Sequence, residues 1–210
     1  VKTAHVLVRH EARLFASLAL WVVRRTHGTQ GKEPFGYARG QGPMMFAFAF
    51  VCVVETLTMS VLLRDLPAVH RIVLALDVYG IVLVVALHAA SVVRPHVLDG
   101  DSLRIRRAAQ VDLRIPLSHI ADVRRELRIT HQPTDGELDL AVGSRTTVTL
   151  ELSHPAVHYT FLGRRRDVHL VRFHADEAET LVHAITRARS ALSALPDPPG
   201  SAGPVAYPPA

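Results

Sequence analysis

Two long apolar runs constrain this chain more than any other feature. Pro43–Leu63 reads PMMFAFAFVCVVETLTMSVLL, and Ile72–Val93 reads IVLALDVYGIVLVVALHAASVV. Each holds about 20 residues, which at about 1.5 Å per residue matches a hydrocarbon core about 30 Å thick. Helices apolar on every side are either core helices of a soluble protein or membrane spans. Two of them, separated only by RDLPAVHR, point to spans. Because that separator is short and holds Pro67, residues 43–93 are expected to form an antiparallel transmembrane hairpin.

The rest of the composition agrees with segregation. The 210 residues combine 20% charged residues with a positive mean hydropathy. The net charge of +5 is concentrated before the first span, where Lys2, Arg9, Arg13, Arg24, Arg25, Lys32 and Arg39 face only Glu11 and Glu33. A basic arm of this kind is not a nucleic-acid-binding face, so no nucleic-acid partner is expected. Basic residues flank the outer ends of the hairpin, with Arg94, Arg104, Arg106 and Arg107 following the second span. The connecting loop has Arg64 and Arg71, partly offset by Asp65. By the positive-inside rule both termini are expected in the cytoplasm of a multi-pass cell-membrane protein. Arginine greatly outnumbers lysine, which suggests a GC-rich bacterial genome. Cys52 is the single cysteine, so no intrachain disulfide is possible. Arg9, His10, Glu11 and Arg13 interrupt the first 25 residues, so no cleavable signal peptide is expected.

Three ionisable residues lie inside the runs: Glu55, Asp77 and His88. A charge near a span centre costs about 2.5–3.5 kcal/mol, so each needs a partner or a neutral form. In a hairpin, Glu55 and Asp77 are expected at similar depth, where mutual repulsion favours a shared proton. His88, eleven residues after Asp77, falls on nearly the same helix face. One reading is a proton relay or ion-binding stripe; the other is polar glue between helices of a homo-oligomer or a membrane partner.

Residues 1–27 suit an amphipathic juxtamembrane helix, with Leu7, Leu14, Leu18, Trp21 and Val22 on one face and Arg9, Arg13, Ser17 and Arg24 on the other. It is expected either to lie on the anionic leaflet, with Arg9, Arg13, Arg24 and Arg25 toward lipid, or to dock on the soluble domain. Residues 28–42, GTQGKEPFGYARGQG, read as a flexible linker without the strand-then-helix setting of a phosphate loop.

After Arg94-Pro95 the pattern changes to alternation. Leu103/Ile105, Val111/Leu113/Ile115 and Ile120/Val123 with Leu127/Ile129 each read as a strand. So do Leu138/Leu140/Val142, Val148/Leu150/Leu152, Val157/Tyr159/Phe161 and Val168–Phe173, giving about seven. A closing helix follows, with Asp176 as N-cap, Glu179 completing a capping box, and Leu181, Ile185, Ala188, Leu192 and Leu195 as its apolar seam. The Pro-rich stretch Pro196–Ala210 is expected to be extended or disordered.

The phrase Ile115-Pro-Leu-Ser-His-Ile-Ala-Asp-Val and the strand-to-acidic-helix passage Val168–Ile185 resemble those of membrane-tethered bacterial domains of the pleckstrin-homology-like (bPH) type. The resemblance covers about residues 96–193. It implies an α+β membrane protein: a two-helix hairpin followed by a PH-like seven-stranded bent sheet or barrel with a C-terminal helix, over residues 94–195. It also implies a non-enzymatic binding or assembly platform at the cytoplasmic face. In eukaryotic relatives basic residues around the first two strands bind phosphoinositides, and Arg104, Arg106, Arg107 and Arg114 occupy comparable places. They are read either as anionic-lipid contacts or as solvated strand edges, and the basic turn Arg164–Arg166 as a lipid contact or simply a soluble turn. The alternative function is a subunit of a transport or proton-linked complex using Glu55, Asp77 and His88.

Chemistry-bearing motifs are absent from the sequence. Of thirteen histidines, His154 and His158 share a strand face, but Pro155 separates them and no acid accompanies them. No metalloprotease motif, Cys/His ligand set, nucleophile elbow or Walker loop occurs. No catalytic residue, metal or cofactor is therefore assigned.

Overall fold

The computed structural model describes residues 2–108, 110–129, 134–160 and 164–194, with the side chains of all of these except 2–7 and 9. Leu7 and Arg9 of the expected N-terminal faces, Phe161, Leu195 and the stretch 196–210 lie outside the described residues or side chains.

Among the described residues, four α-helices and eight strands form the fold. Helix α1 is Lys2–Val22, α2 is Gly42–Leu62 and α3 is Pro67–Val93. Proline stands in the first turn of both α2 and α3, where its missing N–H is no loss and its fixed φ suits the helix. At 21 and 27 residues, they are about 31 and 40 Å long. Helix α3 begins at Pro67 rather than at Ile72, absorbing most of the expected loop.

Both are long and apolar enough to cross a membrane. Both are largely uncovered in this chain: 0% of the most apolar stretch of α2 is buried, and 11% of that of α3. Phe46, Phe48, Phe50, Val54, Leu57 and Leu62 of α2 are all left uncovered. An apolar face this continuous marks a surface that a membrane or a protein partner covers.

Helix α1 packs mainly on α3, with Leu14 buried against Ala86 and Ala90 and flanked by Leu18, Leu83 and Leu87. Small residues on α3 (Ala86, Ala89, Ala90, Ser91) permit the close approach. Ser17, placed on the polar face by the sequence pattern, is buried; Arg94 Nε donates to its Oγ at 3.1 Å.

The strands are β1 (Glu33–Phe35), β2 (His96–Leu98), β3 (Ser102–Arg107), β4 (Val111–Pro116), β5 (Ile120–Arg128), β6 (Glu137–Leu140), β7 (Thr146–Tyr159) and β8 (Arg165–Phe173), followed by α4 (Ala178–Ala194). They form two four-stranded sheets, ordered β1-β2-β3-β4 and β5-β7-β8-β6. All pairs are antiparallel except β6 with β8. One core lies between them, built on Leu103, Ile105, Ile115, Leu150, Val171 and Phe173 and closed by Leu181 and Ile185 of α4.

Three expectations change. The stretch 28–42 is not simply a flexible linker: it contributes β1, and Phe35 enters the core. Among the described residues there are eight strands rather than seven, because β1 and β2 are added while Val148–Leu152 and Val157–Tyr159 belong to one long strand. Within β7 the register shifts between Glu151 and Ala156, around Pro155; a bulge is where a sheet accommodates a residue that cannot donate. Finally, the Asp176 carboxylate does not cap α4. Among the described residues its hydrogen bond comes from the Arg39 N–H at 3.2 Å.

Because β1 pairs with β2, the whole α2–α3 hairpin is an insertion between two adjacent strands of one sheet.

Candidate functional site

The base of the hairpin, the returning linker and the β3–β4 and β6–β7 turns meet in a polar junction. His96 is its centre and is 2% exposed. The Arg106 N–H donates to His96 Nδ1 at 3.1 Å, so that nitrogen carries no proton. His96 Nε2–H therefore donates to the His174 carbonyl at 2.9 Å. Burial holds the ring neutral and lowers its pKa to about 4, against the pull of the His174 carbonyl bond. Tyr37 stacks on it at 4.7 Å between centroids, and Phe173 meets it edge-on at 4.9 Å.

The linker is pinned at successive points. Lys32 pairs with Asp99. The Asp176 N–H donates to the Gly36 carbonyl at 2.9 Å. A Cβ on Gly36 would stand 3.0 Å from Asp176 Oδ2, so glycine permits the close pass. Tyr37 Oη accepts from the Ala108 N–H at 2.7 Å, and burial raises its pKa to about 12. His174 and His27 are both held below the ordinary histidine pKa, burial being the first cause in each.

The arginines proposed for lipid contact divide sharply. Arg104 donates to both Asp112 oxygens, at 2.5 and 2.6 Å. Arg106 is 3% exposed and donates to the His27 carbonyl at 2.8 Å, with Gly28 passing over its guanidinium. Arg114 is engaged by Ser102 and Asp101. Arg106 is buried and ties the sheet to the His27 loop, whereas Arg104 is partly exposed in its pair with Asp112. Arg107 is half-buried, and among the described residues no acceptor engages its guanidinium. Arg13, Arg24 and Arg25 are exposed.

Arg107 lines a cleft of about 620 Å³. One wall consists of Met44, Met45 and Leu87, from the ends of the two long helices. The other carries Arg107, Gln110 and Ser144 from the two turns. Ala108 and Ser144, one in each turn, hold φ of +47° and +59°. Non-glycine residues rarely adopt this left-handed conformation, and where they do it often marks a functional site.

The helix-borne ionisable residues are not assembled into one site. Glu55 is exposed on α2. Asp77 is half-buried on α3, and its Oδ2 is enclosed without a hydrogen-bond partner among the described residues. No hydrogen bond or ion pair joins the two. His88 lies about 16 Å along α3 from Asp77, edge-on to Trp21 at 6.2 Å. Glu11 of α1 accepts from Tyr79 Oη of α3 at 2.8 Å.

Comparison with protein-family models, curated proteins and solved structures gives no match. The junction must therefore be read from its own residues. Sequence reasoning missed His96 and Tyr37 and gave Asp176 only a capping role; the pair Phe35/Tyr37 inside a glycine-studded stretch was the available signal for the linker. His154 stands beside His119 at 5.0 Å between rings. Among the described residues no group of three or more His, Cys, Asp or Glu is placed to hold a metal.

Proposed function

We propose that this chain is an integral membrane protein that presents a PH-like β domain, without chemistry of its own, as a binding or assembly platform at the cytoplasmic face of the bilayer. The observation that carries this reading is the β1–β2 ladder. It closes the sheet over both ends of the hairpin, so the domain is held at the membrane in one pose rather than on a tether. The uncovered apolar surface of α2 and α3 supports insertion. Two four-stranded sheets with a helix closing the core support the PH-like assignment; the parallel β6–β8 pair is a departure from a plain antiparallel meander. The flanking basic residues support the cytoplasmic placement of both termini. Exposed Glu55 supports self-association or a membrane-protein partner, because a lipid-facing carboxyl needs cover.

The test is gentle solubilisation of the tagged full chain from its native membrane, followed by measurement of complex mass and of copurifying protein. A discrete complex, homo-oligomeric or with a stoichiometric partner, is expected. A lone monomer carrying no partner contradicts the platform.

A further inference from the structure

We propose that His119 and His154 form a two-histidine site for a divalent first-row transition cation, with water in the remaining coordination positions. The site belongs to the β domain, shares no residue with the cleft at the foot of the hairpin, and does not depend on the membrane placement above. Three features converge on it.

The first is how the fold brings the two rings together. His119 ends the short 3₁₀ turn before β5, and His154 lies within β7. Ile120 and Leu152 are paired, and both strands lose regular register at that level. The β5–β7 register shifts between Ile120 and Asp122, and the β7–β8 register between Glu151 and Ala156. Bulges re-aim side chains and are enriched beside functional sites. Here they leave the two imidazoles 5.0 Å apart between centroids and tilted by 37°.

The second is that distance. A zinc–nitrogen bond of about 2.0–2.1 Å puts the ion about 3.2 Å from the centroid of each ring. Two imidazoles at the tetrahedral angle then have centroids about 5.2 Å apart, and at a right angle about 4.5 Å. The observed 5.0 Å lies between the two geometries.

The third is the state of the ring nitrogens. Ser153 Oγ donates to the His119 carbonyl at 3.2 Å, which uses its only proton. The 3.1 Å bond between Ser153 Oγ and His154 Nδ1 is therefore donated by the ring. Nδ1 carries the proton, and Nε2 keeps the lone pair that a metal takes. Among the described residues neither ring is paired with a carboxylate, and the His119 ring makes no hydrogen bond. His119 is half-buried and His154 exposed, so the pair is open to solvent.

Imidazole suits zinc, copper and nickel, whereas magnesium and calcium take oxygen ligands. Two protein ligands leave positions open, so the ion exchanges instead of being locked in as at a closed four-ligand site. Bound there, it ties the start of β5 to the bulge of β7.

The experiment uses the full chain in mild detergent, without a histidine tag, and titrates it calorimetrically with zinc chloride. Magnesium chloride is the control. One zinc per chain, bound in the micromolar range, is expected, with no response to magnesium. His119→Ala and His154→Ala should each weaken zinc binding at least tenfold. His158→Ala, another histidine of β7, should leave it within about twofold. Melting of each variant without zinc separates loss of the site from loss of the fold, and His119→Gln replaces any alanine variant that melts early at that position. Binding that survives loss of either ring places the ion elsewhere among the thirteen histidines and overturns the proposal. No response up to about 1 mM zinc overturns it as well.

Discussion

Phe35 and His96 stand opposite each other in the β1–β2 ladder, although the entire helical hairpin lies between them in the chain. Phe35 faces the core and His96 stacks on Tyr37. The junction between helices and sheet is thus a folded structure whose failure is measurable.

Phe35→Ala removes the buried aromatic that β1 places in the common core. It should destabilise the β domain by about 3 kcal/mol. Trypsin should then cut at Lys32, which the native chain pairs with Asp99. Thermal melts and timed digestion of the detergent-solubilised chain check both. Unchanged protection at Lys32 would show that β1 is not held by its pairing.

His96 gives the fold a defined acid sensitivity. Its folded pKa of about 4 lies below the ordinary 6.5, so the folded state favours the neutral ring. The sign follows: the contribution is complete above pH 6.5 and is lost as pH falls toward 4, by about 3 kcal/mol across that window. His27 and His174 are shifted the same way and steepen the loss. Unfolding midpoints between pH 7.5 and 4.5 measure it, and His96→Gln should flatten the profile while lowering stability at neutral pH. A His96→Gln profile parallel to the native one would contradict the assignment.

Arg172 on β8 is the buried cation that holds β6 in its parallel place. It pairs with Glu137 and lies 3.6 Å from Asp139. Arg172→Leu leaves both carboxylates without it and should cost about 3 kcal/mol. Adding Glu137→Gln should restore part of that loss, because a neutral amide is cheaper to leave unpaired. Equal instability of the single and double variants would show that packing, not charge, governs the site.

Glu55 is exposed on α2, where lipid is its neighbour in an isolated chain. If a second copy covers it, Glu55→Leu should weaken self-association by about 1 kcal/mol, or about fivefold in the dissociation constant, while Glu55→Gln retains it. Dilution series followed by energy transfer between labelled chains in bilayers supply the measurement. An association indifferent to leucine would place the interface elsewhere.

The two long helices were legible in the sequence because about 20 nearly uninterrupted apolar residues have few other folds available. Strands β3 and β4 were legible from the alternation of Leu103/Ile105 and Leu113/Ile115. Strands β1 and β2 were not. Each has three residues, and Glu33-Pro34-Phe35 shows no alternation; only their pairing across the inserted hairpin makes them strands. Asp176 was misread for the same reason. Its local setting is that of a helix cap, but the linker supplies the Arg39 N–H, and a distant partner outcompetes the near one. Arg107 was picked out with Arg104 and Arg106, and only the geometry of Asp112 and the His27 carbonyl separates it from them.

The central claim, a hairpin inserted through the bilayer from a domain on one side, is tested most directly by cysteine accessibility. In a Cys52→Ser background, Asp65→Cys marks the loop and Ser153→Cys marks the β domain. Sealed right-side-out membrane vesicles are then treated with a membrane-impermeant maleimide. Labelling of Asp65→Cys in intact vesicles, and of Ser153→Cys only after permeabilisation, is expected. Labelling of both positions in intact vesicles, or of Ser153→Cys alone, would contradict it.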